Sequence, residues 1–146
     1  MDDNYSKIIP NLYIGNRNST QLLYPSLNLV VNCTRDLPAI FPNTIRVPID
    51  DSYDWNPVLL DIMINTNVLD TIHSNLLKGN KVLVHCMAGA QRSCAVVACY
   101  LIKYYGMYPE KAIEYIRKHR RIAFFGHITF EKAIESFYNY LINVNK

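Results

Sequence analysis

A chain of 146 residues, half of them hydrophobic and 18% charged, can bury one substantial core and lies far from the composition of disordered segments. Its net charge of +3 is too small to point to nucleic acid, and no apolar run reaches the ~18 residues a membrane span requires. The four cysteines form neither a CxxC pair nor a metal-ligand spacing.

In chain order, the first expected strand is Leu12–Gly15, followed by a short helix over Ser19–Tyr24 that Asn18 or Ser19 can cap. Leu29–Thr34, Thr44–Pro48 and Lys81–His85 are short apolar, β-branched runs of strand length. Between the last two lies a long helical segment, Pro57–Lys78, with Leu59, Ile62, Met63, Leu69, Ile72 and Leu76 near one face. Asn65-Thr66-Asn67 is poor in helix formers and predicts a break. Gly79 is a plausible C-terminal cap. The run from Arg92 to Tyr105 reads as a buried helix. Pro109 opens another at a position that tolerates proline. Ile128–Asn143 is the last, with Phe130, Ala133, Ile134, Phe137 and Leu141 inward. Strands alternating with helices predict an α/β fold: one domain over 1–146, with a mostly parallel sheet of four to five strands and helices on both faces.

The chemistry concentrates in His85-Cys86-Met87-Ala88-Gly89-Ala90-Gln91-Arg92-Ser93. A loop that leaves a strand and enters a helix gathers unpaired N–H groups at one spot, and the helix dipole adds positive potential there. An anion site is expected, with Cys86 at its floor and Arg92 at its rim. Such surroundings favour the nucleophilic thiolate. The Arg92 guanidinium offers a planar fork to two oxygens of a tetrahedral oxyanion. Gly89 permits a backbone turn other residues resist. His85 is placed to fix the Cys86 backbone, and Ser93 to donate a hydroxyl hydrogen bond to the sulfur. Together these residues describe phosphoryl transfer through a cysteinyl-phosphate.

The stretch resembles the signature His-Cys-x-x-Gly-x-x-Arg-Ser/Thr of the cysteine-dependent protein phosphatases. Ile8-Ile9-Pro10-Asn11-Leu12-Tyr13-Ile14-Gly15, Leu29–Thr34, Val47-Pro48-Ile49-Asp50-Asp51, Ala98–Leu101 and Ile116–Arg120 resemble segments of the dual-specificity branch, in order over residues 6 to 142. The resemblance implies a protein phosphatase acting on phosphotyrosine and phosphoserine or phosphothreonine. Phosphate oxygens would be held by the backbone of Met87, Ala88, Gly89, Ala90, Gln91 and Arg92. No metal or cofactor is expected, because arginine and backbone supply the positive field.

The resemblance also implies a general acid after the third expected strand, to protonate the leaving oxygen. Asp51 matches by its distance from Pro48, and Asp54 by counting back from Cys86. The two rules disagree because the chain carries extra residues around Trp55–Leu60. Asp51 is preferred, and Asp50 is a weaker third candidate. Arg120 corresponds to a position near the pocket that meets a second phosphate or an acidic substrate residue. Cys33, Cys94 and Cys99 read as core residues, although one of them could serve as a resolving thiol for oxidised Cys86. Ala123-Phe124-Phe125-Gly126-His127-Ile128 replaces the Pro-Asn common at the start of the family's last helix.

Partners follow from this reading: phosphorylated proteins as substrates, with no nucleic acid or membrane, and a monomer rather than a dimer. Met1-Asp2-Asp3-Asn4 offers no secretory start, and no lipidation motif is evident. A thiolate also requires a reducing compartment, so the cytoplasm is expected, with the nucleus open. Rival activities on the same scaffold are an RNA 5′-triphosphatase, a phosphoinositide phosphatase or a phosphoprotein-binding module without turnover. The loop interior carries no lysine or histidine, which weakens the two highly charged substrates.

Overall fold

Two strands, Leu29–Asn32 (β3) and Val82–His85 (β5), are buried at every position, as befits strands covered on both faces. A computed structural model describing residues 3–145 places them side by side at the middle of a five-stranded sheet. The remaining strands are Tyr5–Ile9 (β1), Leu12–Gly15 (β2) and Thr44–Arg46 (β4), and the order is β1-β2-β5-β3-β4. Only the β1–β2 pair is antiparallel. The helices are Ser19–Leu23 (α1), Asn56–Asn65 (α2), Val68–Leu77 (α3), Arg92–Tyr105 (α4), Pro109–His119 (α5) and Glu131–Val144 (α6).

The strand alternation divides the core in two. Leu29, Val31, Val82 and Val84 join the large cluster that also buries Leu59, Ile72, Leu101, Ile116 and Phe137, while Val30 and Leu83 meet Leu23 and Leu27 on the other face. Helices therefore cover both faces, the second by α1 and the 3-10 turn after it, with Phe41 packed beside them. α4 is the central helix, buried continuously from Ser93 to Ile102.

Most expected elements form, with shifted ends. The long segment after Pro57 breaks into α2 and α3 at Thr66-Asn67. Gly79, at φ +78°, donates its N–H to the Leu76 carbonyl and ends α3 as a left-handed cap. Asn18 occupies the cap position of α1 without a side-chain capping bond. The unexpected element is β1. Pro10-Asn11 turns it onto β2, with Asn11 at φ +69°, the sign a type II turn requires after proline. The reading of Met1-Asp2 at the N-terminus lies outside the described residues.

This topology positions the site. β5 sits between β2 and β3, parallel to both, so the ends of three strands meet where Cys86 leaves the sheet. Ligands of open α/β sheets bind beyond such carboxyl ends.

Candidate active site

The loop after β5 is held from behind by its carbonyls. Met87 O accepts from the Arg17 backbone N–H at 3.0 Å. Arg120 Nη2 donates to Ala88 O at 3.3 Å and Arg120 Nε to Gly89 O at 2.7 Å. The Phe124 N–H donates to Ala90 O at 2.7 Å. With four successive carbonyls turned outward, the amides line the concave side. Among the described residues none of the amides of 87–92 donates to a protein acceptor. The arrangement is a nest of N–H groups at the start of α4, suited to an anion. Gly89 adopts φ +70°, and a Cβ there would lie 2.6 Å from Arg120 Nη2 and 2.7 Å from Gly15 O. Glycine is required twice over, by conformation and by space.

Cys86 is 2% exposed and lies at the floor of this cup. Its N–H donates to Gly15 O at 3.3 Å, and its Sγ is 3.2 Å from Ser93 Oγ. His85 is buried, its Nδ1 a long 3.4 Å from the Cys86 carbonyl. Burial lowers the His85 pKa from its ordinary value against the opposing effect of that carbonyl. Burial pushes the thiols of Cys33 and Cys94 up, with the nearby Cys86 adding to it. All four cysteines are free.

Arg92 is anchored by Nη1, which donates to the Ile49 carbonyl at 3.1 Å. Its Nε is buried without an acceptor. A buried guanidinium N–H lacking a partner is costly, and it leaves a donor that an anionic oxygen can satisfy. The Ile49 contact also brings the segment carrying the candidate acids against the rim.

The three aspartates differ in surroundings. Asp50 receives a bidentate pair from Arg35, at 2.9 and 2.7 Å, which holds its carboxyl below the usual range; Arg35 also packs over Trp55. Asp51 is exposed and lies two residues beyond the carbonyl that Arg92 grips. Asp54, in the 3-10 turn Tyr53–Trp55, lines a cavity of about 300 Å³ with Asn56, Leu60, Lys132 and Ser136. That cavity includes none of residues 85–93.

Arg120 corrects the sequence reading. It is 2% exposed, and besides Ala88 and Gly89 it donates to Ser6 Oγ and the Asp3 carbonyl. The chain leaves α5 in an extended conformation at Arg120, which turns the side chain beneath the loop, where a buried charge must satisfy its donors. It therefore braces the loop after β5, with its donors spent on protein oxygens and not on a second phosphate. The segment that lacks Pro-Asn also braces the loop, through Phe124. This residue is buried at φ +56°, and its own carbonyl accepts from Arg117.

Sequence reasoning missed three contributors. Arg17 braces Met87, the Gln91 side chain bonds His127 O and Thr129 N, and Asn56 ties α2 to α6. Gln91 already stood in the signature loop, but nothing local marks Asn56, whose partners lie up to 77 positions away. Among the described residues no group of three or more His, Cys, Asp or Glu is placed to hold a metal ion. None of their helices is long and apolar enough to cross a membrane.

Comparison with known proteins agrees with this geometry. Residues 12–139 match the family model for the dual specificity phosphatase catalytic domain. A protein of Invertebrate iridescent virus 6, named as tyrosine phosphatase 123R, is 32% identical over 142 residues, covering 96% of each chain. Phosphatidylglycerophosphate phosphatase PTPMT2 of Arabidopsis thaliana is 38% identical over 85 residues, covering 58% of this chain and 36% of that protein. Other, longer relatives are spanned over only 11% to 21% of their length. The crystal structure of human DUSP28 superposes with a TM-score of 0.84 at 22% identity, covering 97% of both chains, and shares the fold. With the matched domain spanning nearly the whole sequence, the chain belongs to the dual-specificity phosphatase family and is a cysteine-dependent protein phosphatase.

Proposed function

We propose that the protein removes phosphoryl groups from phosphotyrosine and from phosphoserine or phosphothreonine of proteins through a cysteinyl-phosphate on Cys86. The Cys86 sulfur attacks phosphorus as a thiolate, and the bond to the leaving oxygen breaks. The amides of residues 87–92 and the Arg92 guanidinium hold the equatorial oxygens, the dominant task in a phosphoryl transfer. Asp51 gives its proton to the leaving oxygen. Water then attacks the phosphocysteine with Asp51 as base, and the Ser93 hydroxyl stabilises the departing sulfur. The observation that carries this reading is the buried, unpartnered Arg92 Nε at the end of a strand-to-helix loop whose own amides bond no acceptor among the described residues.

Asp51 is supported over its neighbours by their engagements. Asp50 is occupied by Arg35, and Asp54 lines a cavity that includes none of residues 85–93. A reducing compartment is required for the sulfur chemistry, which supports work inside the cell. The small net charge supports protein substrates over nucleic acid, and we read the active form as a monomer.

The test is turnover of phosphotyrosyl and phosphoseryl peptides beside a phosphoinositide and a triphosphate-ended RNA, with Cys86→Ser as control. Peptide hydrolysis with an initial burst, abolished in Cys86→Ser, is expected. Preference for the lipid or the RNA would replace the substrate class. Phosphopeptide binding without a burst would make the domain a binding module.

A further inference from the structure

Two buried carboxamides flank the chemistry and meet at one residue. Gln91 and Asn56 are 5% and 3% exposed. Gln91 Nε2 donates to the His127 carbonyl at 2.8 Å, and its Oε1 accepts the Thr129 N–H at 3.0 Å. Asn56 Nδ2 donates to the Thr129 carbonyl at 2.8 Å and to the Tyr53 carbonyl at 2.9 Å. Thr129 is thereby held by its N–H to the phosphate loop and by its C=O to the segment that carries the candidate acid. The remaining Asn56 atom, Oδ1, accepts the Ala133 N–H at 2.8 Å. Ala133 is the third residue of α6, whose own cap residue Phe130 makes no side-chain capping bond, so Asn56 satisfies an orphan donor of that helix from another element.

Nothing in catalysis by the nucleophile demands this arrangement. Buried carboxamides are costly unless every polar atom is bonded, and apart from the Asn56 bond to Tyr53 both side chains spend their bonds on one short stretch of backbone, residues 127–133. The result is a continuous path from Gln91 through Thr129 and Asn56 to Tyr53, two residues beyond Asp51. At the other end of the same segment, Arg92 holds the Ile49 carbonyl. The acid segment is thus pinned at both ends to the loop that binds the phosphate.

We propose that Asn56 is a positioning residue for proton transfer. Acting through Tyr53 and Thr129, with Gln91 as its counterpart on the loop, it sets the distance between the general acid and the bound phosphate. The proposal rests on the reading of Asp51 as that acid. Its consequence is selective. A substrate with a poor leaving group depends on the acid, whereas one with a very acidic phenol as leaving group does not. A misplacement of about 1 Å costs on the order of 10²-fold in a step that relies on orientation.

The experiment compares kcat/KM on phenyl phosphate with kcat/KM on 2,4-dinitrophenyl phosphate, which reports the expulsion of the phenol and not the later hydrolysis of the phosphocysteine, for Asn56→Ala, Asn56→Asp, Gln91→Met and Asp51→Asn. Asn56→Asp retains the acceptor for Ala133 and loses the Nδ2 tether, so it separates positioning from capping if Asn56→Ala fails to fold. Gln91→Met cuts the path from the loop side without touching the α6 cap. The phenyl to dinitrophenyl ratio is expected to fall roughly 10–10²-fold in the Asn56 variants and to fall in Gln91→Met. The basic limb of the pH–rate profile should weaken, and adding Asp51→Asn should cost little more. Equal losses on both substrates, or an unchanged ratio, with Asp51→Asn still shifting it, would overturn the positioning role and leave the acid assignment standing. An unchanged ratio in Asp51→Asn would remove the acid assignment and the proposal together.

Discussion

Arg120 Nε donates to the Gly89 carbonyl at 2.7 Å, so a charged side chain that is 2% exposed shapes the signature loop from its underside. The contact uses the one loop residue without a Cβ, and the close approach explains why. Gly89→Ala would thrust a methyl group against Arg120 and Gly15 and force alanine into a left-handed conformation costing about 1–2 kcal/mol. That strain alone corresponds to roughly tenfold. Gly89→Ala is therefore expected to lose at least about tenfold in vanadate affinity and in kcat/KM. Titration calorimetry with vanadate checks it, and unchanged affinity would show that the loop tolerates another shape.

Ser93 Oγ lies 3.2 Å from the Cys86 sulfur. A hydrogen bond to a charged group contributes about 1.5–3 kcal/mol, so its loss in the step that expels the sulfur is worth roughly 10–10²-fold. Ser93→Ala should keep the burst of phenolate from an aryl phosphate and slow the steady rate by that factor. Rapid-quench kinetics separates the phases. Equal slowing of both would assign Ser93 to loop packing.

Three neighbouring aspartates compete for the role of acid, and their contacts rank them. A general acid must hold its proton near the working pH. Asp50 is held in the opposite direction by its bond to Arg35. Asp51→Asn is expected to cost about 10²–10⁴-fold on phenyl phosphate, whereas Asp50→Asn and Asp54→Asn should cost far less. If Asp54→Asn shows the large loss instead, the acid segment closes differently from the arrangement described.

His85 supplies a pH dependence of stability. Its folded pKa lies below the ordinary value of about 6.5 because burial disfavours the charged ring. Between the two values the unfolded chain binds more protons, so stability falls as pH drops below about 6.5 and levels off once the folded ring is also protonated. Urea denaturation from pH 7.5 to 5 should show this decline, and His85→Gln should flatten it. An identical slope in the variant would mean that other groups carry the dependence.

The signature loop was legible because its chemistry is local: nine consecutive residues hold the nucleophile, the arginine and the glycine, between a strand-like and a helix-like run. The buried strands and the break at Asn65-Thr66-Asn67 were legible for the same reason, since apolar runs and weak helix formers act over a few residues. β1 was not, because Tyr5–Ile9 mixes polar and apolar residues and becomes a strand by pairing with β2 across the Pro10-Asn11 turn. Arg120 illustrates the limit more sharply. Its position in a basic run at the end of α5 says nothing about whether the side chain meets solvent or turns inward. That depended on the extended conformation that ends α5 and on outward-facing carbonyls donated by a loop about 30 residues earlier.

The amino-acid order alone determined the chemistry the protein can perform, since a cysteine, an arginine and a strand-to-helix loop are specified by neighbours along the chain. Only the tertiary structure decided how that loop is braced and how the acid segment is tied to it. Arg17, Asn56, Gln91 and Arg120 act across tens of residues. Which buried donor finds which carbonyl is settled only when the sheet and helices close around them, because a polar group removed from water must take the partner that packing brings within reach.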